Sequence, residues 1–193
     1  MREIIFFSGN EGKITEIKNK FKNKQIKILS LKNFDNYTEP LENGLTFRDN
    51  AKIKSSYGYS KFNIPCFADD SGICIEALKN KPGIFSKSFI RSFKSSDDCF
   101  KYIFKKIKKT NKKKAYFKTS ICLTMESGIR VFFEGRIKGT ISEKPVGEFG
   151  FGYDPIFVPE GYNRTLGSMR LSEKNQLSHR SIAINKLINF LIN

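Results

Sequence analysis

The sequence contains one histidine, His179, so no histidine-based metal centre can be built from it. Its four cysteines, Cys66, Cys74, Cys99 and Cys122, are scattered without a CxxC pair. They read as buried, reduced thiols of a cytoplasmic protein. No apolar run approaches the roughly 18 residues that a membrane span needs, which argues against a membrane partner. The apolar part of the N-terminus, Ile4–Phe7, is too short for a signal peptide. Internal repeats are missing, and so is any stretch rich enough in Pro, Gly or Ser to separate domains. The 193 residues, 1–193, therefore read as one large domain or two closely packed lobes, with no separate linker. Acids are also scarce: 19 Asp and Glu face 35 Lys and Arg, leaving a net charge of +16. That balance suits an acidic substrate, a nucleic-acid surface, or only a genome that favours Lys, Asn, Ile and Phe codons. The Lys-rich run from Lys105 to Lys114 follows a helix end and is read as solvated surface, not as a nucleic-acid interface.

What the chain does contain is organised around Ala68-Asp69-Asp70-Ser71-Gly72. Ile64–Ala68 is short, apolar and bounded by turn residues, as in a buried strand. Adjacent side chains on an extended chain point to opposite sides, so Asp69 and Asp70 are expected to do different jobs. One would hold a metal and the other would position or deprotonate water, with Gly72 letting the backbone turn.

Earlier in the chain, the apolar run Ile4–Phe7 leads into Ser8, Gly9, Asn10, Glu11, Gly12 and Lys13. A helix follows, with Ile14, Ile17 and Phe21 on one face. Strand, glycine-containing loop, helix start and lysine together suit a phosphate. This is not a Walker A loop, because Ile14 follows the lysine. Gln25–Leu31 reads as a second strand, and a loop carrying Glu39 and Glu42 follows it. Thr46 and Asp49 form a capping box for a helix over Phe47–Lys61. On that helix Asn50 and Lys54 read as exposed surface.

Beyond the central strand, Ile73–Leu78 alternates loosely and Asn80–Gly83 is a turn. Ser96 opens an amphipathic helix whose core stripe is Phe100, Ile103, Phe104 and Ile107. Ala115–Met125 and Ile129–Phe133 form a hairpin, with Arg136–Ile141 extending its second strand. Gly147–Pro155 alternates glycine with aromatics, a composition that lets a backbone approach a flat ligand while Phe or Tyr stacks on it. Ser178 caps a C-terminal helix with a stripe of Ala183, Leu187, Phe190 and Leu191.

The set SGNEGK, ENGLTFRDNA, ADDSG, KPGIFS, GEFGFGYDPIF, SEKN and SHR resembles the inosine triphosphate pyrophosphatase family from Ile4 to Leu191. The resemblance implies an elongated two-lobed α/β fold, with a long mixed β-sheet flanked by helices and a nucleotide cleft between the lobes. It also implies a homodimer that hydrolyses ITP, dITP and XTP to the monophosphate and pyrophosphate with Mg²⁺. Carried over by motif, Ser8 to Lys13 would hold phosphates, Asp70 would be the catalytic acid, and Glu42, Asp69 and Asp70 would face the metal. Ser71 would contact substrate, and Phe151, Gly152, Tyr153 and Asp154 would stack on and border the base. Lys174, His179 and Arg180 would line the nucleotide and its base edge.

Three positions depart from the family pattern. Ser8 replaces a threonine, Ser86-Lys87-Ser88 lacks an arginine, and Gly167-Ser168-Met169 lacks an acid. Rival readings are a Maf-like pyrophosphatase acting on pyrimidine nucleotides and a nucleic-acid-binding protein without turnover. Asp69, Asp70 and Glu42 speak against the latter, since they repel phosphates without a metal. A third reading keeps the enzyme and lets the Lys-rich 105–114 segment touch nucleic acid as well.

Overall fold

The first two strands, β1 (Arg2–Phe6) and β2 (Ile26–Ser30), pair in parallel with Ile4 opposite Ile28. Between them runs α1 (Glu11–Phe21), a crossover of the βαβ kind that parallel pairing requires. The computed structural model describes residues 2–35 and 37–192. After a long loop come α2 (Phe47–Phe62) and β3 (Cys66–Ile75), which is parallel to β1. Next are the two-residue β4 (Lys81–Pro82), α3 (Ser86–Arg91) and α4 (Ser96–Thr110). The strands β5 (Lys114–Thr124) and β6 (Arg130–Ile141) follow, then β7 (Phe157–Pro159), α5 (Leu171–Leu177) and α6 (His179–Ile192). One mixed sheet orders the strands β2-β1-β3-β5-β6-β7, with β4 antiparallel to β3.

The chain divides into two compact units, one formed by Met1–Asp70, Thr119–Gly135 and Ser181–Asn193, the other by Ser71–Lys118 and Arg136–Arg180. In the first unit, alternate residues of β1 and β3 feed two separate clusters. Ile4, Phe6 and Phe67 pack with Ile14, Ile17 and Phe21 of α1 and with Ala183, Ile184, Leu187 and Ile188 of α6. Ile5, Cys66 and Ala68 pack on the other side, with Tyr57, Tyr59 and Phe62 of α2. The sheet is thus covered on both faces, as continuous apolar strands require. The second unit packs Cys99, Phe100, Ile103 and Ile107 of α4 against Ile73, Ile75, Phe117, Ile141 and Phe157.

Several expectations hold. Thr46 caps α2 with Asp49 in a reciprocal box, all four cysteines are free and buried, and β6 does run on past Gly135. Others need correction. The central strand does not stop before the aspartates but carries straight through them to Ile75, so Gly72 makes no turn. Its lack of a side chain serves close approach instead: a Cβ there would fall on the carbonyl oxygen of Gly83 and on Ser86 Oγ. Ser86 Oγ accepts the Ile73 N–H at 2.9 Å and donates to the Gly83 carbonyl at 2.6 Å. The α6 stripe is Ala183, Ile184, Leu187 and Ile188, with Leu191 packed against it, while Phe190 meets the Phe133 ring but stays exposed. Phe104 is only half-buried, its place in the α4 stripe taken by Cys99.

Gly72→Ala is expected to lower the unfolding free energy by about 1–3 kcal/mol, the usual cost of overpacking. A denaturant midpoint equal to that of the unaltered chain would show that the Ser86 clamp yields freely.

Candidate active site

The first unit gathers a charged cluster around the middle of β3. Asp69, on the side of Phe67, faces α1, where the Lys13 ammonium donates to its Oδ1 at 3.0 Å. Thr119 Oγ1 of β5 donates to Asp69 Oδ2 at 3.4 Å. Asp70, on the side of Ala68, faces α2 and accepts from Asn50 Nδ2 at 3.1 Å. The Asn50 amide is oriented from behind, because its Oδ1 accepts the Gly44 N–H at 2.8 Å. One turn further along α2, Lys54 pairs with Glu42 at 3.0 Å.

Burial raises the Asp70 pKa above the ordinary carboxylate range, and nearby Glu42 raises it further. Lys54, Lys13 and the Asn50 amide pull in the opposite direction, but burial dominates. The loop before α1 is also preorganised. Asn10 caps the helix by accepting the Lys13 N–H at 3.1 Å, and Ser8 Oγ accepts the Asn10 N–H at 3.2 Å. Glu11 points elsewhere and pairs with Lys32 at 2.9 Å.

The three carboxylates expected around a metal are therefore not brought together. Asp69 and Asp70 serve opposite faces of the strand, and among the described residues no three His, Cys, Asp or Glu side chains gather around one point. Asp70 and Glu42 nevertheless lie near enough to act on each other electrostatically. Two carboxylates fit magnesium, which takes one or two from the protein and completes its shell with water and substrate phosphates.

The second unit holds a different set of buried polar groups. Arg180 donates to Ser71 Oγ at 2.8 Å. The Lys174 ammonium, only 2% exposed, donates to Asp154 Oδ2 at 2.6 Å. The same oxygen accepts the Phe151 N–H at 2.8 Å. Gly150, at φ +78°, is required here twice over, since a Cβ would also strike the Asp154 carboxylate. Lys174 and Arg180 flank the Phe151 ring at 4.7 and 5.6 Å from its centroid. The buried His179 ring stacks on Phe117 at 4.7 Å, nearly parallel.

Tyr153 does not stay at the surface. It is buried in the core, and its hydroxyl donates to the Ser86 carbonyl at 2.9 Å. The rings of this segment that keep solvent exposure are Phe149 and Phe151. Asn50, read as surface, is 3% exposed and belongs to the site. The sequence does hold a signal for it: the buried side of α2 is Asn50, Ala51, Ser55 and Gly58, with no large apolar residue among them. Thr119 and Phe117 looked like ordinary strand positions, and nothing local distinguishes them.

A profile of the Ham1 family matches residues 4–190. The dITP/XTP pyrophosphatase of Flavobacterium johnsoniae is 36% identical over 189 residues, covering 98% of this chain and 97% of that protein. The dITP/XTP pyrophosphatase of Aquifex aeolicus is 36% identical over 201 residues, covering 99% and 97%. Among solved structures, a HAM1 protein from Coxiella burnetii superposes with a TM-score of 0.88 at 31% identity, covering 100% of this chain and 99% of that one. The Ham1 protein of Staphylococcus aureus gives 0.85 at 32% identity, covering 98% of both chains.

Asp70→Asn is expected to stabilise the chain by about 1 kcal/mol near pH 8, a common exchange of activity for stability. The sign follows from the raised pKa: between its unfolded and folded values the folded chain binds more protons, so stability falls as pH rises through that window. At pH 4 the gain should be smaller, because proton uptake by Asp70 removes the buried charge that the amide replaces. Thermal melts of both chains at the two pH values check this, and an equal gain at both would exclude the buried charge as its source.

Proposed function

The chain belongs to the Ham1 family, and we propose on that footing that it hydrolyses dITP, ITP and XTP to the nucleoside monophosphate and pyrophosphate. The observation that carries the reading is the buried Asp69–Asp70 pair, its two carboxylates committed to different partners on opposite faces of one strand. Ser8 to Lys13 bind the phosphates through the start of α1, where backbone N–H groups and the helix dipole favour anions. Lys13 supplies a full positive charge to the pyrophosphate as it leaves. Asp69 is the positioning residue for Lys13, holding its ammonium at the strand.

Asp70 orients a water against the α-phosphorus and takes its proton. Burial and a neighbouring acid make Asp70 a stronger base than an exposed aspartate, which suits a proton acceptor at neutral pH. Asn50 fixes the direction of that carboxylate. Glu42 and Asp70 are the residues that would hold Mg²⁺, whose chemistry is to neutralise phosphate charge and polarise the phosphoryl oxygen.

The base is read by the second set. Phe151 offers a ring face, and Lys174, His179 and Arg180 offer donors. Hypoxanthine and xanthine present a 6-oxo acceptor to those donors, whereas adenine presents an amino group and leaves buried donors unmatched. Such mismatches discriminate strongly. Their placement supports this role, since Lys174 and Arg180 lie 4.7 and 5.6 Å from the centroid of the Phe151 ring. A homodimer and a cytoplasmic location complete the reading, both supported by the family resemblance. No helix among the described residues is long and apolar enough to cross a membrane.

Pyrophosphate release should be measured from dITP, XTP, ITP, dATP and dTTP, with Mg²⁺ and with a chelator. Metal-dependent release confined largely to the first three is expected, and preference for dTTP would move the chain to the pyrimidine rival. Asp70→Asn should lower kcat by at least about 100-fold, the scale of general-base catalysis. Arg180→Gln should narrow the dITP-to-dATP ratio of kcat/KM by about tenfold or more.

A further inference from the structure

Residues 79–114, all within the second unit, carry thirteen Lys and Arg against two acids, a net +11 of the chain's +16. None of them belongs to either cluster described above. On α4 the exposed lysines Lys101, Lys105, Lys108 and Lys109 follow the three- and four-residue spacing of a single helix face. The helix dipole favours Lys108 and Lys109 in the last turn of α4. Like charges at that spacing nevertheless destabilise a helix by a few tenths of a kcal/mol per pair, so fold stability does not ask for a stripe of four. Lys101 has Asp98 at 3.7 Å. Lys87, Arg91, Lys94, Lys105, Lys108 and Lys109 make no ion pair among the described residues.

Aromatic rings are interleaved with this charge. Phe89, Phe93 and Tyr102 meet one another at 5.3 to 6.1 Å between centroids. Lys106 sits 5.3 Å over the Tyr102 ring. Tyr102 remains 37% exposed, and Phe85, directly ahead of α3 and flanked by Lys81 and Lys87, is 64% exposed. A phenylalanine so placed gains little from packing. A single-stranded nucleic acid uses both features, its phosphates on lysines and its bases on exposed rings. An anionic membrane would want a broad apolar face to insert, and α4 has buried its own as Cys99, Phe100, Ile103 and Ile107.

We propose that the α3–α4 face of this chain binds single-stranded nucleic acid, with Lys101, Lys105, Lys108 and Lys109 on the phosphates and Phe85 stacked on a base. The proposal stands apart from the hydrolytic reading and does not depend on it. The test is fluorescence anisotropy of labelled oligo-dT and oligo-U 20-mers, titrated with the protein at several KCl concentrations. Replacing the four lysines together by glutamine, a residue that keeps the helix, should weaken binding by about tenfold or more. It should also flatten the dependence of log K on log salt by about 2 to 3, four contacts at ~0.7 each. Phe85→Ala should weaken binding about fivefold or more with the salt slope unchanged. Both variants should keep the circular dichroism spectrum and the cooperative thermal unfolding of the unaltered chain, which shows that they fold.

Five results would each overturn the proposal. They are no binding at about 50 mM salt, binding undiminished in the lysine variant, and displacement of the oligonucleotide by excess ITP in the presence of a chelator. The fourth is a duplex bound as tightly as the single strand, with Phe85→Ala silent. The fifth is capture by phosphatidylserine vesicles in place of either oligonucleotide.

Discussion

Two neighbouring carboxylates buried in the middle of a strand are the constraint on which the first unit depends. Side by side on one face they could not both ionise away from water. The alternation of an extended chain solves this by sending Asp69 toward α1 and Asp70 toward α2. Each helix must then bring a polar group to the strand at the right height, and each does so one turn or less after its start. Lys13 is the third residue of α1, and Asn50 the fourth of α2. The capping interactions of Asn10 and Thr46 set where those turns begin. Helix caps here decide which side chain reaches the site as well as how stable the helix is.

The second unit meets the opposite problem, basic side chains buried in one neighbourhood. Asp154 is the organising acid, taking Lys174 and the Phe151 N–H on one oxygen. That arrangement fixes the Phe151 ring in the same stroke as the lysine beside it. The glycines of the segment are the backbone condition for it, Gly150 most directly. Tyr153 then belongs to the scaffold, tying the segment to Ser86 while Ser86 secures the neck of β3. An alternation of glycine and aromatic thus divides its rings between solvent-facing positions and the core.

Much of this was legible from residues alone. The strand-loop-helix beginning at Ile4, the Thr46 box and the hairpin of β5 and β6 all follow from local periodicity and capping chemistry. The strand through Asp69 and Asp70 was not, because charged residues and a glycine look like a turn until tertiary partners supply counter-charge. Asn50 was missed for a related reason. Hydrophobic periodicity finds helices that bury large side chains, and α2 approaches the sheet on small and polar ones. Phe190 failed in the other direction: its spacing suits the stripe, yet Ile184 and Ile188 occupy the buried face.

Charge arithmetic connects the site to the way a nucleotide would have to arrive. Counted over both faces of β3, the charged cluster of the first unit has three carboxylates, Glu42, Asp69 and Asp70, and two ammonium groups, Lys13 and Lys54. That balance is negative by one charge, although the whole chain is strongly positive. A bare triphosphate approaching it gains from the lysines but meets an excess of like charge at the strand. The same anion carrying a divalent cation would meet less of it, since the cation cancels part of the phosphate charge and Asp70 and Glu42 are hard oxygen donors that would suit it. The donor set thus favours the metal complex of a nucleotide over the free anion. The lysines and arginines of residues 79–114 are not members of that cluster. The surplus of lysine and the chemistry of the site are therefore separate properties of one chain.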